Sequence, residues 1–306
     1  MNIKPMEEVI ISLVALRILI SIIGIFGNLF LILAIFQVKQ LKTYEIFLIG
    51  LTASNLEEIV VVDIYDIYMR YKSSVSIWLC QTLKFWTIIG QVGSILFTLV
   101  ISIYRYQKLR DTDTRLNLPI HMDKIRVAMG LCVFCGFLAA LFAVPTYVLK
   151  LDGHLENSTT RRCPPDFFLC SKTNCPTVNR VYKFLFIVIC NLLPLIIVTG
   201  TSMLILKVLI VQQRVIAVLQ GRGSVITNRQ RPRNKGLHRS TVAVLVAMAV
   251  FQVDWILYLV LHLAFEPNSF SAWSEVEFFI TTSYTAISPY IYGIGSNLFS
   301  LKHFMN

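Results

Sequence analysis

Charged residues are scarce in this sequence. They make up 15% of the 306 residues, whereas 56% are hydrophobic, and the mean hydropathy is +0.67. Soluble domains average about 25% charged residues, so the composition excludes an ordinary soluble protein and indicates a membrane protein. Catalytic motifs are missing as well: the sequence has no Ser-His pair and no His-Glu-x-x-His. We therefore expect no enzyme activity, no cofactor and no metal.

Seven segments are apolar and long enough to cross a bilayer, which takes about 20 mainly apolar residues. We expect helices at about 9–36, 44–69, 79–106, 125–149, 179–212, 239–265 and 273–294. The residues after the last segment predict a short amphipathic C-terminal helix on the inner membrane surface. No small-residue cleavage site follows the first segment, so we expect an uncleaved anchor. The predicted fold class is all-α, a seven-transmembrane-helix bundle formed by a single domain over residues 1–306.

The chain carries a formal net charge of +11, from 28 basic and 17 acidic residues. Nucleic-acid binding is one interpretation of this excess, but the positions of the basic residues favour another. With an extracellular N-terminus, the inner loops and helix ends hold 17 basic residues and the outer side holds nine. Positive residues stay on the cytoplasmic side. We therefore expect an extracellular N-terminus, a cytoplasmic C-terminus, membrane lipid as a partner and no nucleic acid.

The third segment carries a polar stripe. At about 100° per residue, seven polar positions fall within roughly 80° of one another on a helix: Lys84, Thr87, Gln91, Ser94, Thr98, Ser102 and Arg105. Polar groups that face lipid are costly, so we expect this helix to face other helices or a wet cavity. Cys80 marks its outer end and lies about 37 Å from Arg105 at 1.5 Å per residue. We interpret it as a central helix that connects the two membrane faces.

Acidic residues lie inside two other predicted helices. A carboxylate at mid-membrane costs about 2.5–3.5 kcal/mol, so Glu58 in the second segment and Asp254 in the sixth are functional or paired by default. Hydration at the outer surface is the alternative for Asp63, and a helix–helix hydrogen bond without a signalling role is the alternative for Asp254. Lys84 has an alternative too, because a lysine one turn below a helix end can snorkel to the surface.

The longest outer loop, residues 151–178, has the features of an extracellular segment. Asn157 begins an Asn-Ser-Thr glycosylation sequon. Together with Cys80, the three cysteines of the loop allow three ways of forming two disulfides. We favour a bond between Cys80 and Cys170, which would pin the loop over the mouth of the bundle and leave Cys163 with Cys175.

Five predicted helices each contain a short motif. The motifs are Gly27-Asn28, Leu51-Thr-Ala-Ser-Asn55, Tyr104-Arg105-Tyr106, Phe251-Gln-Val-Asp254-Trp255 and Ser288-Pro289-Tyr-Ile-Tyr292. In this order, one to a helix, they resemble the motifs of rhodopsin-like (class A) G-protein-coupled receptors. The resemblance implies a signalling switch that comprises Asn28, Asn55, Arg105, Tyr106, Asp254, Trp255, Pro289 and Tyr292.

The motifs also depart from that family. Asn55 replaces the sodium-site aspartate, Tyr104 replaces the acid before Arg105, and Leu257 replaces the proline of the sixth helix. These changes argue against sodium regulation and against the usual lock of the inactive state. Residues 103–111, 116–120 and 288–295 look like those of fish olfactory receptors related to class A, which are similar to mammalian vomeronasal type 1 pheromone receptors.

That resemblance implies a plasma-membrane chemoreceptor that detects a small organic odorant or pheromone and activates a heterotrimeric G protein. We expect the ligand to enter beneath the outer loop and to contact side chains of the outer half: Glu58, Lys84, Thr87, Gln91, Tyr258, His262, Thr281 and Tyr284. The alternatives are a bitter-taste-like chemoreceptor and, from another class, a seven-span transporter or channel. Ser288 weighs against the first, since bitter taste receptors typically have His-Pro there, and the lack of a convincing internal repeat weighs against the second.

Overall fold

The computed structural model describes residues 3–71, 76–114, 123–147, 168, 175–221, 230–265 and 273–299. This part of the chain forms seven helices and no strand. Their bounds are α1 (Ile3–Phe36), α2 (Thr43–Tyr71), α3 (Ile77–Thr114), α4 (Ile125–Ala143, continued by a 3₁₀ turn at Val144–Tyr147), α5 (the consecutive stretches Thr177–Leu185, Phe186–Leu192 and Leu193–Gly221), α6 (Gln230–Ala264) and α7 (Trp273–Gly295). The predicted all-α seven-helix fold is confirmed.

Several helices continue beyond the membrane segments that the sequence predicted. α3 ends at Thr114 rather than near residue 106, and α6 begins at Gln230 rather than near residue 239. The reason is that hydropathy marks where a helix leaves the bilayer, whereas Gln, Lys, Leu and Arg keep a good helix propensity in water. After α7, residues 296–299 form a turn, and the rest of the predicted C-terminal helix lies outside the described residues.

Five helices are long and apolar enough to cross a membrane: Ser12–Phe36, Trp78–Arg110, Ile125–Tyr147, Thr177–Arg214 and Arg239–Ala264. The other two, α2 and α7, carry acidic side chains and pack in the same bundle. Large apolar side chains are exposed along α1, α4 and α5, for example Phe26, Val133, Phe137 and Met203. Polar side chains of α3 are buried instead. Apolar groups outside and polar groups inside indicate that hydrocarbon surrounds the bundle.

The fifth helix contains a stretch of π-helix at Phe186–Leu192, directly before the α-helix resumes at Leu193. Pro194 has no N–H to donate to the carbonyl of Cys190, so the regular i to i−4 pattern fails here. The Asn191 side chain donates to the Phe186 carbonyl at 3.3 Å, across the wider turn. The helix irregularity next to Pro194 therefore takes the form of a local π segment.

α2 and α3 approach each other closely at two glycines of α3. A Cβ on Gly90 would lie 2.7 Å from the backbone nitrogen of Glu58, and one on Gly93 would lie 2.5 Å from the Ser54 hydroxyl. Only a residue without a side chain fits against a neighbouring backbone at such a distance. Gly90 thereby fixes Glu58 beside the polar stripe of α3.

Candidate functional site

The polar stripe of α3 faces the interior of the bundle, as predicted. Six of its seven side chains are buried, and Thr87 is half-buried. The stripe bonds to four other helices, and one of these bonds is from Thr201 of α5, which donates to Ser102 at 3.2 Å. Ser94 donates to Asn55 of α2 at 2.8 Å, the Thr98 and Tyr284 hydroxyls are 2.7 Å apart, and Arg105 donates to Ser240 of α6 at 2.6 Å. This pattern makes α3 the central helix of the described bundle.

Asn55 is the centre of a buried amide network. Its Nδ2 donates to Asn28 Oδ1 at 3.2 Å and to Ser288 Oγ at 3.1 Å, while its Oδ1 accepts from Ser94. The side chains of four helices, α1, α2, α3 and α7, therefore meet at one uncharged group. Both N–H donors of Asn55 and its carbonyl oxygen are bonded to neutral partners. Since all members of the network are amides or hydroxyls, it offers no carboxylate to a sodium ion. This agrees with the interpretation drawn from the replaced aspartate.

Asn28 compensates for Pro289. Pro289 lies inside α7 and leaves the carbonyl of Thr285, four residues earlier, without its helical donor. Asn28 Nδ2 donates to that carbonyl at 3.0 Å and to the Gly24 carbonyl at 2.8 Å. A buried carbonyl that is paired in this way costs little, so the asparagine of α1 and the proline of α7 form one structural unit.

His262 is enclosed at the outer end of α6. Its ring lies 4.2 Å from that of Tyr258, centroid to centroid, and 5.6 Å from that of Trp273. Its Nε2 is 3.1 Å from Glu277 Oε1, and Trp273 donates to the other oxygen of Glu277 at 3.0 Å. Phe168, in the outer loop, contacts the same imidazole edge to face. His262 is therefore buried and tied to α7 rather than exposed at the surface.

Below this cluster, a cleft separates α6 from α7. It is lined by Asp254, Trp255, Tyr258, Ile280, Thr281 and Tyr284, and in the present arrangement it is too narrow to hold a water molecule. Asp254 is buried and accepts a hydrogen bond from Ser283 at 2.9 Å. Three residues of the predicted ligand set therefore line one space, Tyr258, Thr281 and Tyr284, together with two residues of the predicted signalling switch, Asp254 and Trp255.

The structure does not bring the whole predicted ligand set to this cleft. Glu58, Lys84, Thr87 and Gln91 lie on α2 and α3 and are not among the cleft residues. Lys84 is buried, so it does not snorkel to the surface, and the Thr87 hydroxyl donates to the Leu83 carbonyl of its own helix at 2.9 Å. The side chains of Glu58 and Gln91 are buried, and they form no hydrogen bond with any side chain or backbone group that the structure describes. The outer half thus holds two separate groups of polar residues.

Aromatic contacts connect the cleft to the inner half. Trp255 lies 5.0 Å from Tyr258 and 5.9 Å from Phe251 between ring centroids, and Phe251 lies 5.4 Å from Tyr284. The hydroxyls of Tyr284 and Tyr292 are 3.3 Å apart. All five rings are buried. These rings form one continuous series of buried contacts from the cleft to Tyr292.

At the inner end, Arg105 is held without an acid. Its guanidinium lies 3.7 Å from the centre of the Tyr44 ring, and it bonds to Ser240. No carboxylate of the described residues lies within ion-pair distance of it. The preceding Tyr104 donates to Asp123 at 2.8 Å instead. Tyr106 is half-buried against the core and shares none of these contacts.

The sequence interpretation assigned no role to Arg17 of α1. This arginine is 4% exposed, and its Nε lies 3.5 Å from Asp63 Oδ1 while its Nη1 lies 3.7 Å from Glu275 Oε2. Its guanidinium also stacks over Phe278 at 3.9 Å. The hydration alternative for Asp63 is therefore wrong. A single arginine inside an apolar segment was the signal for this cluster, because such a charge requires a partner.

Cys80 and Cys175 are both disulfide-bonded, whereas Cys132, Cys135 and Cys190 are free thiols. The predicted pairing stays a prediction, because Cys163 and Cys170 lie outside the described residues, as does the predicted glycosylation site Asn157. Cys80 is 1% exposed at the outer end of α3 and packs beside Phe168 and Tyr182. The outer loop therefore contacts the bundle near the end of the central helix.

Residues 27–292 match the 7 transmembrane receptor (rhodopsin family). No curated protein matches the chain. The matched range begins at the Gly27-Asn28 motif and ends at Tyr292, so it covers all five motifs and most of the bundle. This chain is a member of the rhodopsin family of seven-transmembrane receptors.

Proposed function

We propose that this receptor is chemosensory, binds a small organic odorant or pheromone in its outer half and activates a heterotrimeric G protein at the plasma membrane. The observation that carries the proposal is the continuous series of buried contacts that runs from the α6–α7 cleft to Tyr292. Tyr292 lies near the inner end of α7. Receptors of this family transmit ligand binding through the bundle, and this chain has polar and aromatic groups in place at both ends of such a route.

Ligand binding would act through the width of the cleft. In the present arrangement the space between its side chains is too narrow for a water molecule, whereas pockets for drug-sized ligands usually measure about 300–1,000 Å³. A ligand therefore fits better when α6 and α7 have moved apart at Tyr258 and Thr281. A ligand shifts a conformational equilibrium only by its differential affinity for the two states, and this widening supplies the difference.

The inner end would respond through the bond between Arg105 and Ser240. In the present arrangement this bond joins α3 to α6, and it takes the place of the acid-based lock of related receptors. A movement of α6 at the cleft would break it and free the guanidinium, which Tyr44 alone would then hold. Arg105 and the basic helix ends would form the surface for the G protein.

The test is second-messenger output in cells that express the chain with a promiscuous G protein. We expect Arg105→Ala to reach the cell surface normally and to lose the ligand-dependent response by at least about tenfold. The reason is that the G protein would lose a hydrogen bond with the freed guanidinium, and a hydrogen bond to a charged group contributes about 1.5–3 kcal/mol. Arg180→Ala is the matched control, because Arg180 is an exposed cation at the opposite, outer end of the bundle. A response in Arg105→Ala equal to that of the parent would contradict the proposed role.

A further inference from the structure

The lining of the α6–α7 cleft combines one carboxylate with three aromatic rings. Asp254 contributes the carboxylate, and Trp255, Tyr258 and Tyr284 contribute the rings. Tyr258 lies against Trp255 at 5.0 Å between ring centroids. Aromatic faces attract cations, and rings grouped around a pocket are a recurring way of binding organic ammonium ions.

The carboxylate of Asp254 has no cationic partner among the described residues. Its one bonded side chain is the Ser283 hydroxyl, which donates a hydrogen bond but leaves the charge uncompensated. The nearby basic groups are engaged elsewhere: His262 faces Glu277, and Arg17 lies between Asp63 and Glu275. Neither lines the cleft, and nor does Lys84. An ionisable group inside a membrane bundle requires a partner, so a partner is expected to come from the ligand.

The hydroxyl groups of the lining also favour a hydrogen-bond donor. Thr281 donates its proton to carbonyls of its own helix, at 3.1 Å to Glu277 and 3.3 Å to Phe278. Thr98 donates to the Ser94 carbonyl at 2.8 Å, so the proton between Thr98 and Tyr284 belongs to Tyr284. Each hydroxyl has one proton. The oxygens of Thr281 and Asp254 are therefore left as acceptors toward the cleft.

We infer that the ligand of this cleft is a small protonated organic amine, with Asp254 as its counter-ion. The ammonium group donates to the Asp254 carboxylate and to the Thr281 oxygen, and the carbon skeleton packs on the rings of Trp255, Tyr258 and Tyr284. A carboxylate ligand is excluded by repulsion from Asp254, and a neutral alcohol leaves the charge of Asp254 unpaired. This inference rests on the proposed function and narrows it to one chemical class of ligand.

The experiment compares three compounds that share one carbon skeleton: cyclohexylmethylamine, cyclohexylmethanol and cyclohexanecarboxylate. A second series uses pentylamine, pentanol and pentanoate. Binding is measured as the shift in the thermal unfolding midpoint of the purified full-length receptor, which needs no G protein. Second-messenger output in cells is measured in parallel. We expect both amines to raise the midpoint and to give a response, and the alcohols and carboxylates to do neither at the same concentration.

Two variants locate the effect. Asp254→Asn keeps the size and a hydrogen-bonding side chain but removes the charge, and it should weaken amine binding about 100-fold, since loss of one partner from a buried charge pair costs about 2–5 kcal/mol. Asp254→Glu keeps the charge and should retain most of the affinity. If Asp254→Asn does not reach the cell surface, Thr281→Leu fills the cleft and leaves Asp254 in place, and it should weaken amine binding as well.

The outcomes separate the inference from the proposed function. Amine binding that Asp254→Asn abolishes supports the inference, whether or not a second messenger appears. Stabilisation by the carboxylates or alcohols, no stabilisation by either amine, or equal amine binding in Asp254→Asn overturns it. Amine binding without any second messenger would support the inference and count against G-protein signalling. A G-protein response to the carboxylates would support G-protein signalling and count against the inference.

Discussion

At two positions that hold helices together, this chain has a neutral side chain where related receptors have a charged one. Asn55 lies where the family usually has an aspartate, and it joins four helices through its amide alone. Arg105 lacks its usual acid and is held by Tyr44 and Ser240. A neutral hydrogen bond depends less on its surroundings than an ion pair does, because no buried charge remains when it breaks. At these two positions the protein relies on amide, hydroxyl and aromatic partners in place of carboxylates.

Replacement of Asn55 tests this dependence. We expect Asn55→Ala to lower the free energy of unfolding by about 1–3 kcal/mol, because it leaves buried polar groups of Asn28, Ser94 and Ser288 without a partner. The measurement is thermal unfolding of the purified protein in detergent micelles. Thr52→Ala is the matched control, since Thr52 is equally buried on α2 but bonds only to carbonyls of its own helix. Equal losses in the two variants would show that the network adds nothing.

Whole helices are positioned by close backbone contacts as well as by polar bonds. α2 packs on α3 where Gly90 meets Glu58, and α5 changes to a π segment before Pro194. Both features put an irregular backbone beside polar groups of the interior. The contact at Gly90 sets the distance between the two helices that carry the buried group of Glu58, Thr87 and Gln91.

An alanine at Gly90 would force these two helices apart. Its Cβ would lie 2.7 Å from the backbone nitrogen and 2.9 Å from the Cα of Glu58, and backbone atoms cannot rotate away as a side chain can. We expect Gly90→Ala to destabilise the protein by about 1–3 kcal/mol, the usual cost of overpacking, measured as a lower unfolding midpoint.

The control for this variant is Gly136→Ala. Gly136 lies in α4, and nothing lies within 4 Å of a Cβ placed there. An alanine in a helix is favoured over glycine by about 0.8–1 kcal/mol, so we expect no loss of stability and a small gain. Equal effects at the two positions would show that the contact of α2 with α3 is not tight in the membrane.

The molecule as a whole is polar inside and apolar outside. Exposed side chains of α1, α4 and α5 form an apolar surface, while amides, hydroxyls and charged groups are buried within the bundle. The order of the helices does not say which end faces the cytoplasm. The distribution of basic residues predicts it, with 17 on the proposed inner side and nine on the outer.

Orientation can be measured on intact cells. We expect an epitope tag at the N-terminus to bind antibody without permeabilisation and a tag at the C-terminus to require it. Removal of N-linked glycan should lower the apparent mass of the parent chain and leave that of Asn157→Gln unchanged, because Asn157 begins the one sequon that the sequence interpretation identified. A C-terminal tag exposed on intact cells would contradict both the orientation and the proposed G-protein surface.

The sequence alone determined the seven-helix fold, the inward face of α3 and the family. These follow from patterns along one helix at a time: apolar length selects the membrane, a period of 3.6 residues places Ser94, Thr98 and Arg105 on one face, and short motifs occur in a fixed order. It also indicated that the carboxylates of Glu58 and Asp254 are functional or paired, because a charge inside hydrocarbon is costly.

Only the tertiary structure decided which of these groups meet. Nothing in the local sequence says that Arg17 pairs with Asp63 and Glu275, or that His262 faces Glu277. Such contacts join residues far apart in the chain, and their geometry depends on helix rotations and distances that periodicity leaves open. For the same reason the predicted ligand set divided into an α6–α7 cleft and a separate group on α2 and α3. Which side chains share a space is a property of the packed bundle.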